Sequence, residues 1–334
     1  MNLDGNSDQG AIIRHNATIV SGQPAVALAV DLMYSITYNT NMLSSSDHGT
    51  PRAHFSKRNF ASDPARMQIP FQLRLPVAVT IFTATTSSAE CTREGLLTTA
   101  HSYLAAQAAG NPSTLSLAST NFTYLQNNRA SDIATGLLST PFIIDFNRST
   151  TDLAACASYT MWISASGSEP RVVGTQIRHT DNDTSTISSI DTVAATTGDL
   201  FFDAATTLSY IRAETWSTLP ASSQPSRALL KSIGDAYLDM WTNATAADTI
   251  PWGTRCERVE GSMYTNPCGG SLPHGGSQKV NGMRRYVIDE TIGSVQVSCQ
   301  FDSLGPWPDS HEIRVEEGKV RYVHTVTVLK GVGS

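Results

Sequence analysis

The sequence predicts an α+β protein of two tandem domains, each a helix followed by a mostly antiparallel meander. Two observations carry this. "REGLLTTAHSYLAA" from Arg93 and "RALLKSIGDAYLDM" from Arg227 share R-x-x-L-x-x-x-x-x-x-Y-L at an offset of 134. The hairpin "EIRVEEGKVRYVHTVTV" (312–328) has a degraded copy, "QIRHTDNDTSTISSIDTV" (176–193), whose final strand matches at an offset of 133. Near-constant spacing at both ends of the unit indicates a duplication.

Each copy opens with the helix. Leu96, Ala100, Tyr103 and Gln107 fall on one stripe of the first, and Leu230, Ile233, Tyr237 and Trp241 on one stripe of the second. Gly110-Asn111-Pro112 stops the first helix. Strands are expected next: "NFTYLQ", "PFIIDF", "CASYTMWIS", "RVVGTQIRH" and "STISSIDTV" in copy one, then "RCERVEG", "RRYVIDE", "SVQVSCQF", "HEIRV" and "KVRYVHTVTV" in copy two. The expected boundaries are 90–206 for the first repeat, 207–226 for a connector with a Pro/Ser-rich tail, and 227–334 for the second repeat.

With 334 residues, 40% hydrophobic and 16% charged, the chain can bury one large or two ordinary cores. A net charge of -6 gives no basic stripe and sets nucleic acid aside as a partner. The stretch from Met67 has one cation at Arg74, an apolar run from Leu75 and a small-residue site at Ser87-Ser88-Ala89. This is the pattern of a signal peptide, too short and Thr-interrupted for a stable membrane span. Residues 67–89 are therefore expected to be cleaved, and residues 1–66 to be disordered or a mis-assigned leader. The protein is expected in the secretory lumen or secreted.

Sequons at Asn121, Asn147, Asn182 and Asn243 follow the cleavage site, and Asn16 precedes it. All five cysteines also follow it. In an oxidising compartment Cys256 and Cys268, flanking a Gly/Pro/Asn loop, are expected to pair, as are Cys91 and Cys156; Cys299 is left as a buried thiol. No Cys/His spacing suggests zinc, and no metal or other cofactor is expected.

The helix ending "SYLAAQAAGNPSTLSLAS", followed by an antiparallel sheet, resembles the cone-shaped fold of nuclear transport factor 2, ketosteroid isomerase, scytalone dehydratase and the SnoaL-type cyclases. "IPWGTRCERVEG", "RRYVIDETIGSVQV" and "PDSHEIRVEEGKVRYVHTVTV" are similar to a little-characterised family of secreted fungal proteins, over residues 91–334. The resemblance implies two cones in one chain, forming a pseudo-dimer. It also implies that the helical tyrosines, Tyr103 and Tyr237, can point into a cavity as oxyanion donors.

Repeat two is the better equipped for chemistry. Asp235 precedes Tyr237 by two residues, and "CERVEG" puts Arg258 and Glu260 on one strand face with Glu257 and Val259 on the other. His324 shares a face with Val320, Tyr322, Val326 and Val328, and stands where repeat one has Asp191. Two readings of it stay open: a base in an apolar lining, or a histidine satisfied by a neighbouring strand. Tyr237, His324, Asp235 and Glu260 are the candidate catalytic residues; Tyr103, Asp191, Arg258, Trp241 and Tyr322 are the candidate substrate-binding residues. His311 is expected to brace a strand entrance. Asp289 or Glu290 is expected to answer Arg285 or Arg314.

No nucleophile elbow, phosphate loop or dinucleotide fingerprint is visible, and the Gly-rich "GSLPHGGSQ" reads as a loop. The expected activity is a cofactor-free isomerase or cyclase acting on a hydrophobic terpenoid or polyketide intermediate. Diels-Alder-type cyclisation by orientation alone is included. A non-catalytic secreted binding protein is the other class. N-terminal sequencing of the secreted protein is expected to begin near Glu90; a start upstream of Met67 contradicts the leader reading.

Overall fold

A computed structural model describes residues 91–180 and 183–329. The expected leader, the signal-like segment and the Asn182 sequon lie outside these residues. Two six-stranded sheets are present, ordered β2-β1-β6-β5-β4-β3 and β8-β7-β12-β11-β10-β9, so the second repeats the first strand for strand. Sheet one comprises β1 (Thr123–Gln126), β2 (Arg129–Ala130), β3 (Phe146–Asp152), β4 (Ala157–Ser164), β5 (Arg171–Thr180) and β6 (Asp183–Ala195). Sheet two comprises β7 (Trp252–Glu260), β8 (Met263–Thr265), β9 (Gly282–Asp289), β10 (Ser294–Gln300), β11 (Pro308–Glu316) and β12 (Lys319–Thr327). In each, four strands form an antiparallel meander whose last strand pairs in parallel with the first strand of its sheet.

Helix α1 (Arg93–Ala109) precedes sheet one, α2 (Ala204–Ile211) lies in the connector, and α3 (Arg227–Asp239) precedes sheet two. Thr92 and Ser226 cap α1 and α3 by accepting the N–H of Gly95 and Leu229. Gly110 ends α1 in the left-handed conformation, φ 61°, where a side chain is strained. The stripes bury as expected: Leu96, Ala100, Tyr103 and Gln107 from α1, and Leu230, Ile233 and Tyr237 from α3. Trp241 lies just past the end of α3 and packs against the same core. Glu317 and Gly318, φ 52° and 70°, make the tight turn of the β11–β12 hairpin.

One strand differs from expectation. "PFIIDF" is not the strand; β3 is the polar "FNRSTTD" that follows. Phe142 and Ile144 pack onto the core from an irregular segment, so their hydrophobicity reports burial and not pairing.

Each helix packs on one face of its own sheet, called the inner face here. Tyr103, Trp162, Val173, Ile177 and Ile190 form the inner core of repeat one; Tyr237, Val295, Val297, Ile313 and Val323 belong to that of repeat two. The two outer faces pack on each other, with Tyr159, Met161 and Val193 meeting Val287, Val326 and Val328. Gly174 is required at this seam: a Cβ there would lie 2.8 Å from Ser310 Oγ and 2.7 Å from Tyr159 Oη.

The seam is reciprocal. Arg93 of α1 binds Asp289 of repeat two at 2.8 Å, and Arg227 of α3 binds Asp152 of repeat one at 2.6 Å. Asp289 also accepts the Thr151 N–H and Asp152 the Ile288 N–H, each at 2.9 Å. Residue i contacting j′ while j contacts i′ is the signature of a two-fold interface. The arginine that opens the repeated helix motif therefore ties each helix to the other repeat's sheet. Asp289 answers Arg93, and Glu290 accepts the Arg227 N–H, so neither meets Arg285 or Arg314 as expected.

Cys91–Cys156 and Cys256–Cys268 are disulfides, with Cα atoms 5.6 and 5.1 Å apart, and Cys299 is a buried free thiol. The sequon residues Asn121, Asn147 and Asn243 are exposed. No helix among the described residues is long and apolar enough to cross a membrane. Arg227→Met should destabilise the protein by about 3 kcal/mol, because it leaves the buried Asp152 without its cation. The check is a lowered urea midpoint at unchanged slope; an unchanged midpoint would contradict the reciprocal seam.

Candidate functional site in the second repeat

The duplication supplies an internal control, because equivalent positions can be read from strand register. Across the inner face of repeat one, Gln126, Thr192 and Thr175 sit side by side on β1, β6 and β5. Their equivalents on β7, β12 and β11 are Glu260, Thr325 and His311. In the next row, Trp162, Val173 and Ala194 are replaced by Cys299, Asp309 and Thr327. One row beyond the glutamate, Tyr124 is replaced by Arg258. Repeat two has thus exchanged a neutral lining for two carboxylates, an imidazole, a thiol and a guanidinium.

Hydrogen bonding shows what the exchange does. In repeat one, Tyr103 Oη bonds Thr175 Oγ1 at 2.8 Å and accepts the Trp162 Nε1–H at 3.1 Å, while Thr175 and Thr192 bond at 3.0 Å. Gln126 accepts from Tyr124 Oη and the Leu137 N–H. None of these side chains is left with an unpaired buried atom. In repeat two, Arg258 Nε, Thr325 Oγ1 and His311 Nδ1 are buried without a hydrogen-bond partner, and His311 Nε2 and Asp309 Oδ2 meet only each other, at 2.9 Å. Unpaired atoms of this kind cost stability; repeat one has its own at Ser158, Ser164 and His179, but in repeat two they include charged and titratable side chains around Tyr237.

Tyr237 is fully buried, and its hydroxyl donates to Glu260 Oε1 at 3.0 Å. Glu260 is 13% exposed. Arg258 Nε lies 3.6 Å from Glu260 Oε2, and its Nη2 donates to the Gly270 carbonyl. Burial, then the Glu260 carboxylate, push the Tyr237 hydroxyl well above its ordinary range, which keeps it a donor. Burial opposes the Arg258 cation, but Glu260 prevails and raises it. Trp241, Trp252 and the His311 ring surround Tyr237, with ring centroids 6.1, 6.4 and 5.2 Å away. A donor, an acceptor and a cation inside an aromatic wall can bind a polar atom of an otherwise apolar molecule and move a proton on it.

Of the sequence-predicted residues, Tyr237, Glu260, Arg258 and Trp241 come together here. Tyr103 fills the closed inner face of repeat one. Asp235 lies on the other side of α3, bound by Lys231, Arg284 and the Tyr286 hydroxyl, and does not reach the Tyr237 hydroxyl's surroundings. His324, Tyr322 and Asp191 are on the outer faces, in the seam. A bulge at Arg321 breaks the alternation, so Val320 points to the inner core while Tyr322 and His324 point outward. His311, expected at a strand entrance, is paired on both sides within β11 and faces inward. Together with Asp309 and Thr325 it is a site residue that sequence reasoning missed; its opposition to Thr175 in the repeat alignment was the available signal.

The family described as a domain of unknown function, DUF8021, matches residues 223–327, the span of repeat two. No curated protein matches the chain.

The seam explains why one strand position carries opposite charges. Arg148 on β3 and Arg285 on β9 are equivalent, facing Met161 and Ser298 on the adjacent strands. Arg285 binds Asp191 and meets the neutral Gln176 through its carbonyl. Arg148 binds Glu312 at 2.7 Å and approaches Glu214 of the connector at 3.4 Å, and Trp216 stacks 3.7 Å from its guanidinium. Two carboxylates there need a second cation, and His324 bridges them, Nε2 to Glu214 at 2.7 Å and Nδ1 to Glu312 at 3.2 Å. Burial opposes charging of His324, yet Glu214 and Glu312 prevail and raise it above 6.5. Burial likewise opposes both carboxylates, but His324 and Arg148 hold Glu214 and Glu312 below 4.5. The histidine's contribution is complete below 6.5 and lost as pH rises through its higher folded value. That of the carboxylates is present above 4.5 and lost as pH falls through their lower folded values. Thermal stability should therefore peak between 4.5 and 6.5, and His324→Gln should flatten the alkaline decline. An identical alkaline limb in both proteins would contradict this.

Proposed function

We propose that repeat two is a secreted or lumenal acid–base catalyst that isomerises or cyclises a hydrophobic small molecule, and that repeat one is its structural partner. In this reading both repeats have the cone fold of the nuclear transport factor 2 type. The observation that carries the proposal is the replacement of the neutral hydrogen-bonded cluster around Tyr103 by Tyr237, Glu260 and Arg258 with unpaired polar atoms beside them. Glu260 takes a proton from an activated carbon or hydroxyl of the substrate and returns it at a second position. Tyr237 then donates its hydrogen bond to the oxygen on which charge develops, and Arg258 steadies the carboxylate. The wall of Trp241 and Trp252 binds the apolar body of the substrate. Two disulfides fit an oxidising compartment. A reaction of this kind favours proton transfer over cycloaddition by shape alone, which needs no carboxylate. The unpaired atoms would also serve a protein that only holds its ligand, which is the second reading.

The test is metabolite profiling by mass spectrometry of the source organism with the gene deleted, then restored as the native form or as Glu260→Gln. Deletion should replace one compound by another of equal mass. Native protein should restore it, and Glu260→Gln should lower its yield at least ~100-fold at equal protein level. An unchanged profile under conditions where the gene is expressed would move the assignment to the binding protein.

A further inference from the structure

Proton transfer by Glu260 and Tyr237 leaves one group of inner-face side chains without a role. Cys299 on β10 and Asp309 on β11 oppose each other directly across the ladder, and His311 lies two residues further along β11 on the same face. One ligand-competent atom from each lies within 4.8 Å of the others, and all three residues are buried; among the described residues no other three side chains are grouped in this way. A second observation is independent of this proximity. Nδ1 of His311 is buried with no partner at all, and its Nε2 meets only Asp309 Oδ2, at 2.9 Å. Both side chains are at least nine-tenths buried, at 1% and 0% exposed.

The carboxylate is held for a ligand. Its Oδ1 accepts the Ser310 N–H at 2.8 Å and Thr327 Oγ1–H at 3.1 Å, which fixes the group and turns Oδ2 toward His311 Nε2. Cys299 is the one cysteine outside the two disulfides. The fold does not need these residues, because repeat one has Trp162, Val173 and Thr175 in their places and packs without them.

We propose that Cys299, Asp309 and His311 bind one divalent transition-metal ion of the zinc class. A thiolate, an imidazole and a carboxylate together suit a borderline-soft ion and not magnesium or calcium. Binding replaces the Cys299 S–H proton by the metal and releases that proton to solvent, so charge and atoms balance. Three protein ligands leave a fourth position for water or for a substrate oxygen, next to the Tyr237 ring. The sequence hides the site because its ligands are assembled by cross-strand register and not by Cys/His spacing.

The test uses the full chain purified without chelator. Elemental analysis should find about one zinc per chain, and Cys299→Ser or His311→Gln should retain less than about a tenth of it. Cobalt(II) loading should give a thiolate-to-cobalt charge-transfer band in the near ultraviolet, absent in Cys299→Ser. Thr327→Val should weaken binding roughly 10- to 100-fold through Asp309. Glu260→Gln should bind metal normally while losing turnover, which separates this site from the proton-transfer reading. Native folded protein that carries no metal, shows no charge-transfer band and binds zinc no tighter than on the order of 1 μM would overturn the proposal. The native cobalt spectrum decides the matter even if the ligand variants do not fold.

Discussion

Two crossed ion pairs hold the molecule in its arrangement. Asp152 and Asp289 are buried carboxylates whose cations, Arg227 and Arg93, come from the helix of the other repeat. A buried carboxylate deprived of its partner is strongly destabilising, so neither sheet is complete without the opposite helix. Each helix in turn covers the inner face of its own sheet, and its placement fixes the tyrosine that projects there. The seam thus sets the geometry of both inner faces, and through α3 it holds Tyr237 against Glu260.

A duplicated unit tied in this way can divide its labour. Around Tyr103, repeat one pairs hydroxyls, an amide and an indole with one another, which is the behaviour of a core. Repeat two carries titratable groups at the same positions and leaves several unpaired. The connector adds asymmetry of its own: Glu214 and Trp216 enter the seam on one side, and the second carboxylate they bring is balanced by His324. His324 and Asp191 are opposite solutions to charge neutrality around equivalent arginines.

The duplication, the helix stripes, the Cys256–Cys268 pair and the hairpins were readable because each rests on local pattern or repeated spacing, and Cys91–Cys156 followed as the second pair. What failed did so for stated reasons. β3 is polar since it pairs at an edge of its sheet, while nearby apolar residues pack from a loop. "HEIRV" is a strand as expected, but β11 begins earlier, at Pro308, so His311 lies inside the strand, paired with both neighbours, and not at its entrance. Of the two readings of His324, the histidine paired with a neighbouring strand is the one the structure matches, through Glu312 of β11; the apolar-lining reading misled because both faces of β12 are buried and a bulge at Arg321 moves Val320 to the other face. Half the site, Tyr237, Glu260, Arg258 and Trp241, followed from the repeated helix and one strand. The other half, His311, Asp309 and Thr325, required the register.

The claim that only one repeat works is tested most directly by a matched pair of substitutions at equivalent positions. Tyr103→Phe and Tyr237→Phe each remove one buried hydroxyl, and each can be compared with native protein for restoring the metabolite profile of the deletion strain. The account predicts that Tyr237→Phe loses the product while remaining folded, and that Tyr103→Phe keeps it with reduced thermal stability. Loss of product with Tyr103→Phe and retention with Tyr237→Phe would contradict it.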